Sequence, residues 1–228
     1  KAESNQIVAN TSGLVIVAFY SRDLDRFKTF YEIAKNNDRK FVIPLKLAYL
    51  LNRLKTNDDL KDKKFKDSVP DVANDNNVLL YKKRKKTGEF VESDYYKWER
   101  DFIGKAVNYK FVNEKQSRLI FNLDLVEFTE LIDVKPSPSG QFIHSMSEPF
   151  SEEDVTTEVM HRWLDHYDLK FHQIHASGHC HSKNLKEIID QIRPKQLMPI
   201  HTEHPELFRK RFGQLDVKIV EKGKPYTF

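Results

Sequence analysis

The chain has 228 residues, enough for one large domain or two small ones, with 39% hydrophobic residues to build a core and 32% charged residues to cover it. Its net charge of +4 is only mildly basic and does not by itself argue for a nucleic-acid partner. A single cysteine rules out an internal disulfide and fits a reducing cytoplasm, and no apolar run approaches the roughly 20 residues that cross a bilayer, so no membrane partner is expected.

The start, KAESNQIVAN, is polar and has no signal-peptide character. GLVIVAFYS, residues 13–21, is a continuous apolar run, the pattern of a strand buried on both faces in a parallel sheet. Leu24, Phe27, Tyr31 and Ala34 then make one helical stripe, with Asp23 as N-cap and Asp25 in the first turn. KFVIP (40–44) predicts a second strand and LKLAYLLNRLK (45–55) a second helix. Strand and helix alternating in this way imply parallel strands joined by right-handed crossovers. Residues 56–76 are polar, charged and proline-broken, and read as a loop. VLLY (78–81) is strand-like. The run Lys82 to Lys86 after it reads as a solvated basic turn, with phosphate contact as the alternative. SDYYKW (93–98) opens a helix capped by Ser93 or Asp94, LIFNLDLVEF (119–128) reads as a strand, and TELIDVKP as a short helix stopped at Pro136. Gly140 marks a turn, and QFIHS (141–145) is a short strand. The serine-bearing loop SMSEPFSEE leads to a helix that starts near Ser151 to Asp154.

The last quarter carries the chemistry. FHQIH (171–175) predicts a strand. Asn184 with Glu187 starts a helix whose stripe is Leu185, Ile188, Ile189 and Ile192, Pro194 ends it, and QLMPIH (196–201) predicts the next strand. As one βαβ unit, its two strands run parallel and bring His175, His179 and His201 to a single sheet edge, where open α/β sheets bind ligands. HASGHCH (175–181) holds three histidines and Cys180, suited to either metal or phosphate. Zinc normally takes at least three protein ligands, and a complete set would have to be drawn from His175, His179, Cys180, His181, His201 and His204.

HASGH (175–179) and PIHTEHP (199–205), with His179 and His201 22 residues apart, resemble the paired terminal motifs of β-CASP nucleases, enzymes of metallo-β-lactamase fold, in their RNase J-like, RNA-processing branch. The resemblance extends over GLVIVAFYSRDLDRF, SMSEPF and the chain end. It implies an α/β fold: a parallel-rich, Rossmann-like β-CASP domain over residues 1–170, followed by a βαβ segment of the metallo-β-lactamase domain over 171–228. It implies a metal-dependent ribonuclease that hydrolyses phosphodiesters with two zinc ions. His201 resembles the family's terminal metal ligand, and His179 the histidine that protonates the leaving group. His175, Ser177 and Gly178 resemble the phosphate-holding loop, together with Ser145 and Ser147; Arg22 joins them because it follows the first strand at the same edge. The implied partners are RNA, an N-terminal lactamase portion, and a second copy of the chain as a homodimer. One departure is central. The family's H-x-H-x-D-H metal motif is absent, and the single H-x-H, 179–181, is followed by Ser182-Lys183. The expectation is therefore a C-terminal portion of a longer nuclease, lacking most metal ligands and inactive alone. The alternative is a non-catalytic RNA-binding chain or a self-contained zinc module.

Overall fold

The computed structural model describes residues 1–147, 155–175 and 180–226. In chain order they form α1 (Ala2–Ala9), β1 (Val15–Ala18), α2 (Leu24–Asn36), β2 (Lys40–Pro44), α3 (Leu45–Thr56), α4 (Lys63–Ser68), β3 (Val78–Tyr81), α5 (Lys97–Ile103), α6 (Tyr109–Glu114), β4 (Leu119–Asn122), α7 (Leu131–Val134), β5 (Gln141–His144), α8 (Val155–His166), β6 (Lys170–Gln173), α9 (Ser182–Ile192), β7 (Gln196–Leu197), α10 (Glu206–Arg211) and β8 (Asp216–Val217). Two compact units result, 1–176 and 177–228.

The first unit is built on a six-stranded sheet, parallel throughout, in the order β3-β2-β4-β1-β5-β6. β1 lies at its centre, with Val15 opposite Ile120 on one side and Gln141 on the other. Its four residues are all buried, and they alternate between faces. Val15 and Val17 join a core with Phe27, Phe30 and Ile33 of α2 and Leu47 and Leu51 of α3. Ile16 and Ala18 join a second core with Val112 of α6, Leu131 of α7 and Leu164 of α8. Helices on both faces explain why the strands read as unbroken apolar runs: neither face meets water. A sequence-inferred α/β, Rossmann-like fold is what the chain adopts.

Local chemistry sets the element ends. The Asp23 carboxylate accepts the Arg26 backbone N–H at 2.9 Å and caps α2. β4 stops at Asn122, so the strand expected over 119–128 is half that length. The Asp124 carboxylate accepts the Leu125 N–H at 2.7 Å and diverts the backbone into a 3-10 turn, Leu125–Glu130. α5 starts later than expected: the Glu99 carboxylate accepts the Tyr96 N–H, which makes residue 96 the cap in place of 93 or 94. The segment 56–76 also holds one helix, α4, capped by Asp62.

At the opposite end of the sheet, Arg39 is 6% exposed and faces no carboxylate. Its guanidinium donates to the carbonyls of Gly13 (2.9 Å), Leu119 (3.0 Å) and Thr11, tying the entries of β1 and β4 together. In the basic run 82–86, Arg84 and Lys86 are exposed, and four of the five side chains are tied to partners. Lys83 pairs with Glu127 at 2.8 Å, Arg84 with Asp133, and Lys85 with Glu99, while Lys82 donates to the Ile103 carbonyl. Beneath it the Tyr81 phenol donates to Glu130, and burial pushes both groups' pKa values up.

The second unit is small. β7 and β8 pair in parallel, Gln196 opposite Asp216. α9 begins at Ser182, two residues before the expected Asn184 cap. Of its apolar stripe only Ile189 is buried, and Ile188 and Ile192 are exposed at 45% and 67%.

Candidate functional site

In a parallel sheet all strand C-termini share one edge, and loops that leave neighbouring strands in opposite directions open a crevice there. Here β1 leads towards β2 and β4 leads towards β5, on opposite sides, while β1 and β4 are neighbours. The hydrogen-bond ladder runs on for one residue past β5 and β6. The Ser145 N–H donates to the Ala18 carbonyl (2.8 Å), and the Ile174 N–H to the His144 carbonyl (2.9 Å). Ser145 and His175 are therefore held by strand geometry, and residues 20–23 turn beside them, with the Asp23 N–H donating to the Tyr20 carbonyl at 2.7 Å.

Arg26 is the hub of this edge. It sits in the first turn of α2, and its Nη1 donates to Ser145 Oγ at 2.7 Å while Nη2 lies 3.3 Å from His175 Nδ1. Asp23 faces the same guanidinium at 3.5 Å. A guanidinium only donates, so His175 Nδ1 accepts and the ring proton resides on Nε2. The imidazole thus keeps an N–H donor. Ser145 is 4% exposed, and its hydroxyl, having accepted from Arg26, retains its own hydrogen to donate. Gln173 completes the frame: its amide oxygen meets His144 Nδ1 at 2.8 Å, and its amide nitrogen donates to the Met146 carbonyl at 2.8 Å, locking the 145–147 segment onto β6. Ser147 Oγ lies 3.5 Å from the Tyr20 hydroxyl. Arg22 is exposed and forms no ion pair among the described residues.

Four of the residues singled out in the sequence (Arg22, Ser145, Ser147 and His175) therefore come from the loops at one sheet edge. Ser177, Gly178 and His179 lie outside the described residues. His201 belongs to the second unit, where it is exposed and takes a left-handed backbone, φ 58°. The βαβ unit expected to bring it beside His175 is not formed. β6 adds to the six-stranded sheet, where Phe171 packs against Phe142 and His161, and β7 pairs with β8 instead. Pro199 lacks an N–H and ends QLMPIH as a strand after two residues. The division into compact units falls past β6, with β6 in the first unit. Arg26 and Gln173 were missed. Arg26 carried a readable signal, since a cation in the turn after an apolar strand faces that strand's C-terminal edge; Gln173 carried none.

Among the described residues no group of three or more His, Cys, Asp or Glu side chains comes together that could hold a metal ion. Cys180 is exposed, and His204 faces Glu206 at 3.1 Å.

Residues 168–220 match the RMMBL family model, described as a Zn-dependent metallo-hydrolase RNA specificity domain. The matched segment spans β6, His175 just beyond it, and the histidine at 201. No curated protein matches the chain. In fold, the chain is similar to a crystal structure of a protein of unknown function from Enterococcus faecalis V583, with a TM-score of 0.65 and 18% identity; the likeness covers 98% of this chain and 43% of that one. That likeness is one of fold alone, and this chain spans less than half of the longer protein. Over residues 168–220, then, the chain resembles an RNA specificity domain of zinc-dependent metallo-hydrolases.

Proposed function

We propose that this chain is the RNA-handling part of a metal-dependent ribonuclease of RNA processing or decay, with the C-terminal edge of the six-stranded sheet as its phosphate-holding surface. The observation that carries the reading is the Arg26 hub, which holds Ser145 Oγ and His175 Nδ1 in one hydrogen-bonded set and leaves a neutral N–H and a hydroxyl as donors. Such donors suit phosphate oxygens. Exposed Arg22, which has no ion pair among the described residues, adds a positive charge at the same edge. Ser147, Ser177 and Gly178 extend the phosphate-holding loop in this reading, and His179 delivers the proton to the leaving oxygen.

His201 is assigned as this chain's metal ligand. The described residues do not complete a zinc site, so the remaining ligands of a two-zinc centre would come from a lactamase portion. The exposed Ile188, Ile192 and Ile200 give such a portion an apolar face to cover. The 228-residue chain alone should therefore bind single-stranded RNA without cleaving it, and retain almost no zinc after dialysis against trace zinc. One or more tightly held zinc ions per chain, lost on His175→Ala or His179→Ala, would overturn the half-site and point to a self-contained zinc module. A homodimer is part of the same reading, and sedimentation of the chain tests it.

A further inference from the structure

Two clefts adjoin the C-terminal edge on the β2/β3 side of the Arg26 hub. The first, about 550 Å³, is lined by Tyr20, Arg22, Lys46, Asn122, Asp124 and Glu127, at the crevice between β1 and β4. The second, about 220 Å³, shares Pro44, Lys46 and Glu127 with it and runs on to Tyr96 and Trp98. The shared residues make the two clefts one track. At its far end three aromatic rings form a ladder. Tyr96 stacks on Trp98 with ring planes 10° apart and centroids 6.0 Å apart, and Trp98 meets Tyr49 at 5.2 Å. Tyr96 remains 67% exposed even with Trp98 and Lys85 against it. Lys85 lies 4.7 Å from that ring's centroid and is tied to Glu99, which helps to hold the ring in place.

Charge along the track is divided. Glu99 and Glu127 are occupied by Lys85 and Lys83. Arg22 and Lys46 are exposed and have no ion pair among the described residues. Asp124 is engaged by the Leu125 N–H, though its charge remains. A backbone of evenly spaced anions with flat rings attached fits this arrangement: phosphates at Arg22 and Lys46, and a base on the ladder.

We infer that this track carries single-stranded RNA onward from the phosphate-holding edge at Arg22, with Tyr96 and Trp98 as a base-stacking platform and Lys46 as a further phosphate contact. The inference rests on the RNA reading above and adds a second contact region to it. A platform that stacks any base and reads no base edge selects unpaired strands over duplex and has little sequence preference.

The two tryptophans allow a direct test. In a Trp163→Phe background, emission reports Trp98 alone. Titration with a ten-nucleotide oligoadenylate should quench it. Tyr96→Ala should weaken binding about tenfold, within the range for loss of one stacked base, and Tyr96→Phe, which keeps the ring, should bind like the parent. Lys46→Met should lower the slope of log affinity against log salt by about 0.7, the share of one phosphate contact on a single strand. An abasic oligomer of the same length should bind more weakly than oligoadenylate to the parent, and equally to the parent and Tyr96→Ala. If RNA binds the parent and Tyr96→Ala equally, or the abasic oligomer binds the parent as well as oligoadenylate does, the platform is refuted while RNA binding stands. If the parent binds no RNA, both readings fall.

Discussion

Replacing Arg26 by Met removes the guanidinium that bridges Ser145 and His175 and keeps most of the aliphatic stem. The α2 cap survives, because Asp23 accepts from the backbone N–H of residue 26, which any residue but proline supplies. What is lost is a charge-assisted hydrogen bond to a buried hydroxyl, worth about 1.5–3 kcal/mol. The partly buried pair with Asp23 is a long contact, 3.5 Å, and adds at most a few tenths, so about 2 kcal/mol is expected from these contacts. For a domain of this size that lowers the melting temperature by about 4–8 °C. Trp98 and Trp163 both lie in the first unit, so fluorescence-detected unfolding follows that unit alone. Arg26→Lys should recover part of the stability, since an ammonium can reach one partner but does not span two in the plane of a fork. A long-range ¹H–¹⁵N spectrum gives an independent reading: the parent shows His175 with an unprotonated Nδ1, and Arg26→Met shows a mixture of tautomers. An Arg26→Met protein that melts within 1 °C of the parent and keeps a single His175 tautomer refutes the hub.

Three further outcomes are expected. Arg39→Met strands the buried carbonyls of Thr11, Gly13 and Leu119 and should cost about 3 kcal/mol, read as a lower urea midpoint at unchanged slope. Gly140→Ala should cost about 1–3 kcal/mol by overpacking, because a Cβ there meets Leu169 Cδ2 at 2.5 Å and the Ser137 and Leu14 carbonyls at 3.1 and 3.2 Å. Burial, helped by Lys170, holds His172 below its ordinary value of 6.5, with Glu3 opposing. The unfolded chain then binds the proton more readily than the folded one, so the His172 contribution is present in full above pH 6.5 and is lost as pH falls through and below it. His172→Gln should flatten that part of the stability-versus-pH curve, and an unchanged slope between pH 5 and 7 would count against the assignment.

The elements were legible where one physical signal dominated. VIVA, KFVIP and VLLY are apolar on both faces, and only a sheet covered on both sides suits them. Asp23 announced the start of α2 because a carboxylate before a periodic run answers unpaired N–H groups. Residues 125–128 misled because apolar composition fits a strand and a 3-10 turn equally, and the decision fell to one Asp124 hydrogen bond.

The sequence by itself determined the α/β class and the parallel pairing, since these follow from period, burial and strand direction. Only the tertiary structure decided the order β3-β2-β4-β1-β5-β6, because every core strand is equally apolar and nothing local names its neighbour. It alone placed β6 with β5 and left β7 to β8, since the aromatic packing of Phe171 on Phe142 joins residues 29 apart in the chain. It alone made Arg26 the centre of the site: its partners, Ser145 and His175, stand 119 and 149 residues away, and only folding brings them within hydrogen-bond reach.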